Sequence, residues 1–145
     1  MRKSDKSIRN VSIAAIRRST IKPYDFKWTK FYDAHSYFTY QGLKLGLGEN
    51  ELIICSTIID DVNYSILTTR RLITMENGYK RIGLLEGATD KGYGIFKGYN
   101  KESVTCGLIG LKNGAELTYF IEVGQASMIM IQGVRTAIGM NESTD

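Results

Sequence analysis

The chain has few of the side chains that bind transition metals or form disulfide bonds. It contains one histidine and two cysteines among 145 residues, whereas a structural zinc site needs four closely spaced ligands. We therefore expect no metal centre and no cofactor. Cys55 and Cys106 both lie in runs that are typical of strands, and we expect them to be buried free thiols that pack as small apolar side chains.

Long apolar runs are missing as well. No stretch approaches the roughly 18 consecutive apolar residues of a membrane-spanning helix, and the N-terminal segment has no apolar run typical of a secretory signal. We therefore expect a soluble, cytoplasmic protein. The length of 145 residues and the hydrophobic content of 43% favour one globular domain and exclude a wholly disordered chain.

Positive charge is confined to one end of the sequence. Residues 1–30 contain nine lysines and arginines and two aspartates, a net charge of +7, whereas residues 31–145 carry a net charge of −3. A basic arm of this kind can attract phosphate groups or anionic lipids, and it can equally be a solvated surface or a face that docks on the acidic body.

The basic arm combines a predicted helix with an aromatic-rich segment. Helical spacing of apolar residues predicts a short amphipathic helix over residues 7–18, and eight of the fifteen aromatic residues follow in residues 24–40. Over residues 24–28 aromatic rings alternate with polar residues, as on a strand or an extended segment. Lysines are interleaved with these rings between residues 22 and 30, a pattern that can stack bases or cover an edge or face of the sheet. The candidate binding residues of the arm are Arg17, Arg18, Lys22 and Trp28.

From residue 51 onward the pattern changes to short strands separated by turn signals. Two Asn-Gly pairs, Asn77-Gly78 and Asn113-Gly114, are strong hairpin signals because both residue types tolerate positive φ. The apolar spacing of residues 125–138 predicts a helix, in which Gly133 is a candidate close-packing point. The seven predicted strands cover residues 51–59, 64–68, 72–75, 79–85, 93–99, 103–111 and 116–123.

The strand order and one local motif resemble pleckstrin-homology-like (PH-like) domains. Residues 64–73 match the pattern of bacterial members, in which an apolar strand ends in threonine and a short polar turn with arginine precedes the next strand; Gly48 and Glu49 match the entry to the first strand. The resemblance implies a mainly β (α+β) fold, a seven-stranded antiparallel barrel capped by a C-terminal helix. It adds Arg70 and Arg71, at the turn, as candidate binding residues.

The resemblance divides the chain into three parts. Residues 48–139 would form the PH-like domain, residues 1–47 a helical and aromatic extension packed on the barrel, and residues 140–145 a disordered tail. Phosphoinositide-binding members hold phosphates with basic residues in the loop after the first strand. Here that loop contains Asp60 and Asp61, which would repel phosphates, so lipid binding is not carried over to this chain.

Catalytic patterns in the sequence are incomplete. The glycines of residues 87–92 have the spacing of a phosphate-binding loop, but Tyr93 stands where the lysine is needed. His35 could act as a general base with Ser36 or Cys55 as nucleophile, but a packing or surface role is the simpler interpretation. Asp60 and Asp61 are adjacent in a turn, so their side chains diverge. We therefore expect a protein that is not an enzyme.

The leading functional hypothesis is a non-catalytic protein-interaction module. It would bind another protein through an exposed strand edge, an apolar patch or the basic arm, and an inhibitory or immunity-type binding protein is one version of it. Two alternatives remain: binding of an anionic membrane or single-stranded nucleic acid by the basic arm, and an enzyme of unknown type. Homo-oligomerisation through exposed strand edges is also open.

Overall fold

The computed structural model describes residues 3–34, 38, 45–94 and 103–142. In these residues two helices enclose a run of eight strands, and no helix is long and apolar enough to cross a membrane. The elements in chain order are α1 (Asp5–Ser19), β1 (Thr29–Phe31), β2 (Ile53–Asp60), β3 (Asn63–Thr68), β4 (Arg71–Glu76), β5 (Tyr79–Leu84), β6 (Thr89–Tyr93), β7 (Val104–Gly110), β8 (Glu116–Glu122) and α2 (Ser127–Met140).

Helix α1 begins two residues before its predicted start. The Ser4 hydroxyl caps it by accepting a hydrogen bond from the Ser7 amide at 3.1 Å, which satisfies one of the amides that a helix leaves free at its N-terminus. Ile8, Ile13 and Ile16 lie buried on one face, and this face packs against α2 and β2. The helix prediction for residues 7–18 is therefore confirmed.

The first five strands form one antiparallel sheet in the order β1-β2-β3-β4-β5. The predicted strands from residue 51 to residue 85 are confirmed, and the Asn77-Gly78 pair forms the expected hairpin turn with φ values of 50° and 85°. Strand β1 was not predicted. Its three residues pair with Cys55–Thr57 of β2, a long-range contact that local sequence patterns do not indicate.

The remaining strands form a second antiparallel sheet in the order β6-β7-β8. Strand β6 lies in a segment predicted as a loop. Thr89 and Asp90 pair with Gly110 and Ile109 of β7, although aspartate and glycine, both present in this segment, are uncommon in strands. The predicted fifth strand, residues 93–99, therefore begins too late; its residues 95–99 lie outside the described part of the chain.

The mainly β architecture with a C-terminal helix is confirmed, but the closed seven-stranded barrel is wrong. The described residues form eight strands in two sheets, of five and three strands, and no hydrogen-bonded ladder joins β5 to β6. The two strands are separated by a turn. The Ala88 amide donates a hydrogen bond to the Leu85 carbonyl at 3.0 Å across this turn, and Gly87 in it has a φ of +77°. Side chains of both sheets share one apolar core with helix α2.

The core lies between the sheets and the two helices. Ile129, Met130 and Val134 of α2 are fully buried in it. A Cβ atom placed on Gly133 would come within 2.8 Å of the Cys55 Sγ and 3.2 Å of the Leu67 Cδ2, so the predicted close-packing role of Gly133 is confirmed. At Gly133 the backbone of α2 therefore lies directly against side chains of the five-stranded sheet.

The two cysteines have different environments. Both are free thiols and Cys55 is buried, as expected. Cys106 is exposed, so the prediction of a second buried thiol is wrong. Strand β7 directs alternate residues to opposite faces, and the inner position goes to Gly107: a Cβ atom there would lie 2.2 Å from the Cζ of the Tyr119 ring. Because that ring covers Gly107, the neighbouring Cys106 side chain faces outward.

A second, smaller apolar cluster lies on the outer face of the five-stranded sheet, away from α2. It is formed by Ile58, Tyr64, Ile66 and Ile73, with Phe38, Leu45, Ile53 and Met75 packed around it. Ile66, Ile73 and Ile82 are direct neighbours across β3, β4 and β5. The outer face is therefore apolar from the middle of the sheet to its last strand.

Candidate functional site

The six candidate binding residues fall into two groups at opposite ends of α1. Arg17 and Arg18 lie in its last turn, close in sequence to Lys22 and Trp28. Arg70 binds Asp5 in the first turn, and Arg71 is its neighbour. A helix rises about 1.5 Å per residue, so Asp5 and Arg17 are about 18 Å apart along its axis. The structure therefore does not bring the six residues together in one site.

Contacts within the basic arm occupy several of its charges. The Arg17 guanidinium pairs with Asp33 at 2.5 Å and lies 5.7 Å from the centre of the Phe31 ring. The Lys27 ammonium lies 4.7 Å from the centre of the Trp28 ring, and Trp28 is half-buried. These contacts tie the end of α1 to the segment around β1, while Arg18 and Lys22 stay exposed.

A buried carboxylate that the sequence analysis did not identify anchors the aromatic segment. Glu122, at the end of β8, accepts hydrogen bonds from the amides of Lys27 and Trp28 at 3.1 and 2.9 Å and from the Thr29 hydroxyl at 2.8 Å. Its exposed fraction is 9%. The donors are more than ninety residues away in sequence, so no local pattern could indicate this contact.

Arg70 has a structural role at the turn between β3 and β4. Its guanidinium donates to both carboxylate oxygens of Asp5, at 3.1 and 2.9 Å, and to the Glu49 carbonyl at 2.5 Å. The Thr69 hydroxyl also donates to Asp5, at 2.6 Å. Asp5 is buried, and the hydrogen bonds to its carboxylate, together with its charge, raise the pKa of Arg70. The pair therefore ties the start of α1 to this turn.

Arg71 forms the corresponding pair with Glu51. The guanidinium donates to the two carboxylate oxygens at 2.9 and 3.2 Å, and the Glu51 side chain is only 2% exposed. The carboxylate also accepts from the Thr68 hydroxyl at 2.5 Å and from the Gly48 amide at 2.8 Å. Arg71 further donates to the Gly46 carbonyl at 2.9 Å, so it also holds the segment that precedes β2.

Opposing effects act on the pKa of Glu51. Burial alone would raise the pKa of this carboxyl group, but the hydrogen bonds from Arg71, Thr68 and Gly48, together with the charge of Arg71, lower it below the ordinary value of 4.5. The carboxylate is thus more stable in the folded chain than in the unfolded chain. Its contribution to folding is complete above the ordinary pKa and is lost as the pH falls through the lowered pKa.

This dependence predicts the behaviour of the Glu51→Gln variant. At neutral pH we expect the variant to be less stable than the unchanged chain by about 1.5–3 kcal/mol, the contribution of hydrogen bonds to a charged group. The difference should shrink once the pH falls below 4.5, because the unchanged chain then also loses its carboxylate. Urea unfolding of both chains at a series of pH values measures the difference in their unfolding free energies. A difference that stays constant as the pH falls would contradict the lowered pKa of Glu51.

The side chains considered for catalysis do not form a reactive group in the described residues. His35 and Ser36 lie outside the described part of the chain. Cys55 is buried, and burial raises the pKa of its thiol. Asp60 accepts hydrogen bonds from the Val62 amide and the Asn63 side chain in its own turn. Within the described ranges no group of three or more histidine, cysteine or acidic side chains could hold a metal ion.

Strand β5 is the candidate site that the structure adds. It is the last strand of the five-stranded sheet, and in the described part of the chain it pairs with β4 alone. Three large apolar side chains on it are exposed: Tyr79 by 76%, Ile82 by 46% and Leu84 by 65%. The alternation of residues along β5 was visible in the sequence, but its position at an edge depends on the sheet order.

The hairpin geometry fixes which backbone groups of β5 are open. In a turn of two residues the flanking pair, here Glu76 and Tyr79, is hydrogen-bonded. Bonding alternates along an antiparallel pair, so the odd-numbered residues bond to β4. The amide of Leu85 accordingly donates to the Arg70 carbonyl at 3.0 Å. The N–H and C=O groups of Lys80, Ile82 and Leu84 therefore point to the open edge.

A groove runs beside this edge, with a volume of about 400 Å³. Ile82 and Leu84 form one side, and Leu111 and Lys112, at the turn between β7 and β8, form the other. Gly83 lies between them, and a Cβ atom there would come within 2.6 Å of the Leu111 Cδ2. Leu111 therefore covers the inward side of β5 at Gly83. The side chains of Ile82 and Leu84 point to the opposite, outward side, next to the backbone groups of the strand edge.

Comparison of the chain with protein-family models, with curated proteins and with solved structures finds no match.

Proposed function

We propose that this protein is a non-catalytic interaction module that binds another protein chain by adding a strand to β5. One observation carries the proposal: in the described residues, a row of backbone hydrogen-bonding groups that pairs with no other strand coincides with the exposed apolar side chains of Tyr79, Ile82 and Leu84. Strand addition uses both features, because the backbone groups supply affinity and the alternate side chains supply specificity.

The strand lacks three of the usual protections of a sheet edge. Edges are commonly blocked by proline, by bulges or by very short strands. Strand β5 contains no proline, and its six residues pair with β4 without a register shift. Its edge is therefore long and regular enough for a further strand, and Lys80 and Arg81 limit which strands are accepted.

The outward face of β5 specifies the chemistry of the partner segment. Lys80, Ile82 and Leu84 alternate along the strand, and Glu86 follows in the turn. Opposite charges and apolar pairs directly across two strands each contribute roughly 0.2–1 kcal/mol, whereas like charges repel. An antiparallel partner therefore presents an acidic residue opposite Lys80, two apolar residues and a basic residue opposite Glu86.

The PH-like assignment is part of this proposal. The order of the strands and the C-terminal helix support it, although the described residues form two open sheets where the family implies a closed barrel. An inhibitory protein that blocks a toxin or an enzyme would be one form of such a module, because it needs only a complementary surface.

A peptide with the complementary alternation tests the proposal. We expect the full chain to bind it, and Ile82→Lys to weaken binding at least tenfold, or about 1.4 kcal/mol, because a charge would replace a central apolar contact. Val11→Lys is the matched control, since Val11 on α1 is 41% exposed against 46% for Ile82. Fluorescence anisotropy measures both affinities, and equal loss or no loss in the two variants would refute the proposal.

The basic arm provides the competing outcome. If the module instead binds anions through Arg18 and Lys22, the chain will bind single-stranded DNA or anionic vesicles with an affinity that falls steeply with salt. Ile82→Lys would leave that binding unchanged, and Arg18→Glu would weaken it. Such a result, without binding of the strand peptide, would replace the present proposal by the anionic-ligand alternative.

A further inference from the structure

We infer that the strand that pairs with β5 is β5 of a second copy of this chain, in a two-fold symmetric dimer. The inference rests on the proposed strand addition and goes further by naming the partner. It is carried by the order of a positive residue, two apolar residues and a negative residue: Lys80, Ile82 and Leu84 on the outward face of β5, and Glu86 in the turn that follows, which lines the same groove as Ile82 and Leu84.

This order is complementary to itself when it runs in the opposite direction. If two copies of β5 pair antiparallel about Gly83, Lys80 of each copy lies opposite Glu86 of the other, and Ile82 of each copy lies opposite Leu84 of the other. Both charges then meet an opposite charge, and both apolar residues meet an apolar residue, which is the favourable arrangement across neighbouring strands.

The backbone allows this register. The N–H and C=O groups of the even-numbered residues point to the open edge, as the two-residue hairpin requires. In the register centred on Gly83, the paired residues Ile82 and Leu84 are both even-numbered, so these pairs can exchange hydrogen bonds, whereas Glu86, in the turn after β5, would meet Lys80 through its side chain. Such a dimer joins the two five-stranded sheets into one continuous sheet and has an isologous interface.

Other symmetric registers are less favourable. A register centred on Ile82 would place Lys80 opposite Leu84, so a charge would face an apolar side chain. A register centred on Arg81 would bring two arginines together at the axis, and one centred on Leu84 would place Ile82 opposite Glu86. Only the register centred on Gly83 matches both charge and polarity along the outward face.

The inward side of the edge is compatible with the same register. At the two-fold axis Gly83 has no side chain of its own, and Leu111 and Leu117 of the same copy cover its inward side, so apolar side chains of both copies would lie beside the axis. Tyr79, which is 76% exposed, lies on the same side as Gly83 and would extend towards the groove beside Leu111 and Lys112 of the second copy. The dimer would therefore cover all three exposed apolar side chains of β5.

Charge reversal tests the partner and the register together. The full chain is studied by sedimentation equilibrium over a concentration series, with a reductant present because Cys106 is an exposed thiol. We expect a dimer that Lys80→Glu and Glu86→Lys each weaken at least tenfold. Combining both substitutions in one chain, or mixing the two single variants, should restore association to within about threefold, because each charge again meets its opposite. Asp25→Lys, at an exposed position outside β5, should leave association unchanged.

The results that would contradict the dimer can be distinguished from those that would contradict the proposed function. A chain that stays monomeric up to about 1 mM but binds the strand peptide overturns self-pairing and leaves the proposed function intact. A monomeric chain that does not bind the peptide overturns both. A dimer that Lys80→Glu does not weaken, or that the paired reversal does not restore, overturns the assignment of the interface to β5 in this register.

Discussion

Replacing Arg71 by methionine is expected to destabilise the protein by about 3–5 kcal/mol, the usual cost of removing one partner from a buried ion pair. The cost is large because the Glu51 side chain is only 2% exposed and would keep its charge with only the Thr68 hydroxyl and the Gly48 amide as donors. Urea unfolding followed by circular dichroism measures the loss. Arg18→Met, at an exposed arginine on α1, is the control and should change stability by no more than about 0.5 kcal/mol.

A double variant separates the loss of the ion pair from general damage. When Arg71 and Glu51 are both replaced by methionine, no buried charge remains, and apolar replacements of buried pairs are often neutral or stabilising. We therefore expect the double variant to regain most of the stability that the single variant loses. A single variant that loses less than about 1 kcal/mol, or a double variant that is less stable than the single one, would contradict the structural role of the pair.

Replacing Gly133 by leucine is expected to cost about 3 kcal/mol or more, although leucine is the better helix former by about 1 kcal/mol. The first carbon of the new side chain would already meet the Cys55 Sγ at 2.8 Å, in a core where both helices and the sheet converge. Helix α2 would have to move away from β2 and β3 to admit the rest of the side chain.

The same helix supplies the matched control for this variant. Nothing lies within 4 Å of a Cβ atom on Gly139, so Gly139→Leu gains the helix propensity without a clash and should stabilise the chain by up to about 1 kcal/mol. Thermal unfolding of the two variants gives the comparison. Equal stability of Gly133→Leu and Gly139→Leu would show that α2 does not pack against the sheet at Gly133 in the way described.

Local sequence patterns predicted those elements whose structure is decided by near neighbours. The hairpin of β4 and β5 follows from the two short strand-like runs on either side of Asn77-Gly78, a pair that adopts the positive φ values of its turn. Strand β1 and strand β6 were missed because residues distant in sequence impose them: Thr29 pairs with Thr57, and Thr89 pairs with Gly110. Closure of the barrel was wrong for a related reason, since it depended on whether β5 and β6 would pair.

The candidate site shows the same limit. Arg70 and Arg71 were identified as charged residues at a strand end, but their partners, Asp5 and Glu51, lie 65 and 20 residues away. A sequence shows which side chains carry charge, but the fold decides whether a charge is buried in a pair or open to a partner. The exposed side chains of β5 were missed because their exposure follows from the position of the strand at the sheet edge.

The most direct test of the central claim, that the edge of β5 is open and pairs with another strand, is amide hydrogen exchange of β5 measured by NMR. Because Arg81 and Gly83 bond to β4, we expect their amides to be protected at every protein concentration. The amides of Ile82 and Leu84 should exchange rapidly in dilute solution and become protected when the chain is concentrated or the complementary peptide is added. Slow exchange of Ile82 and Leu84 in the dilute chain, or rapid exchange under all of these conditions, would contradict the account.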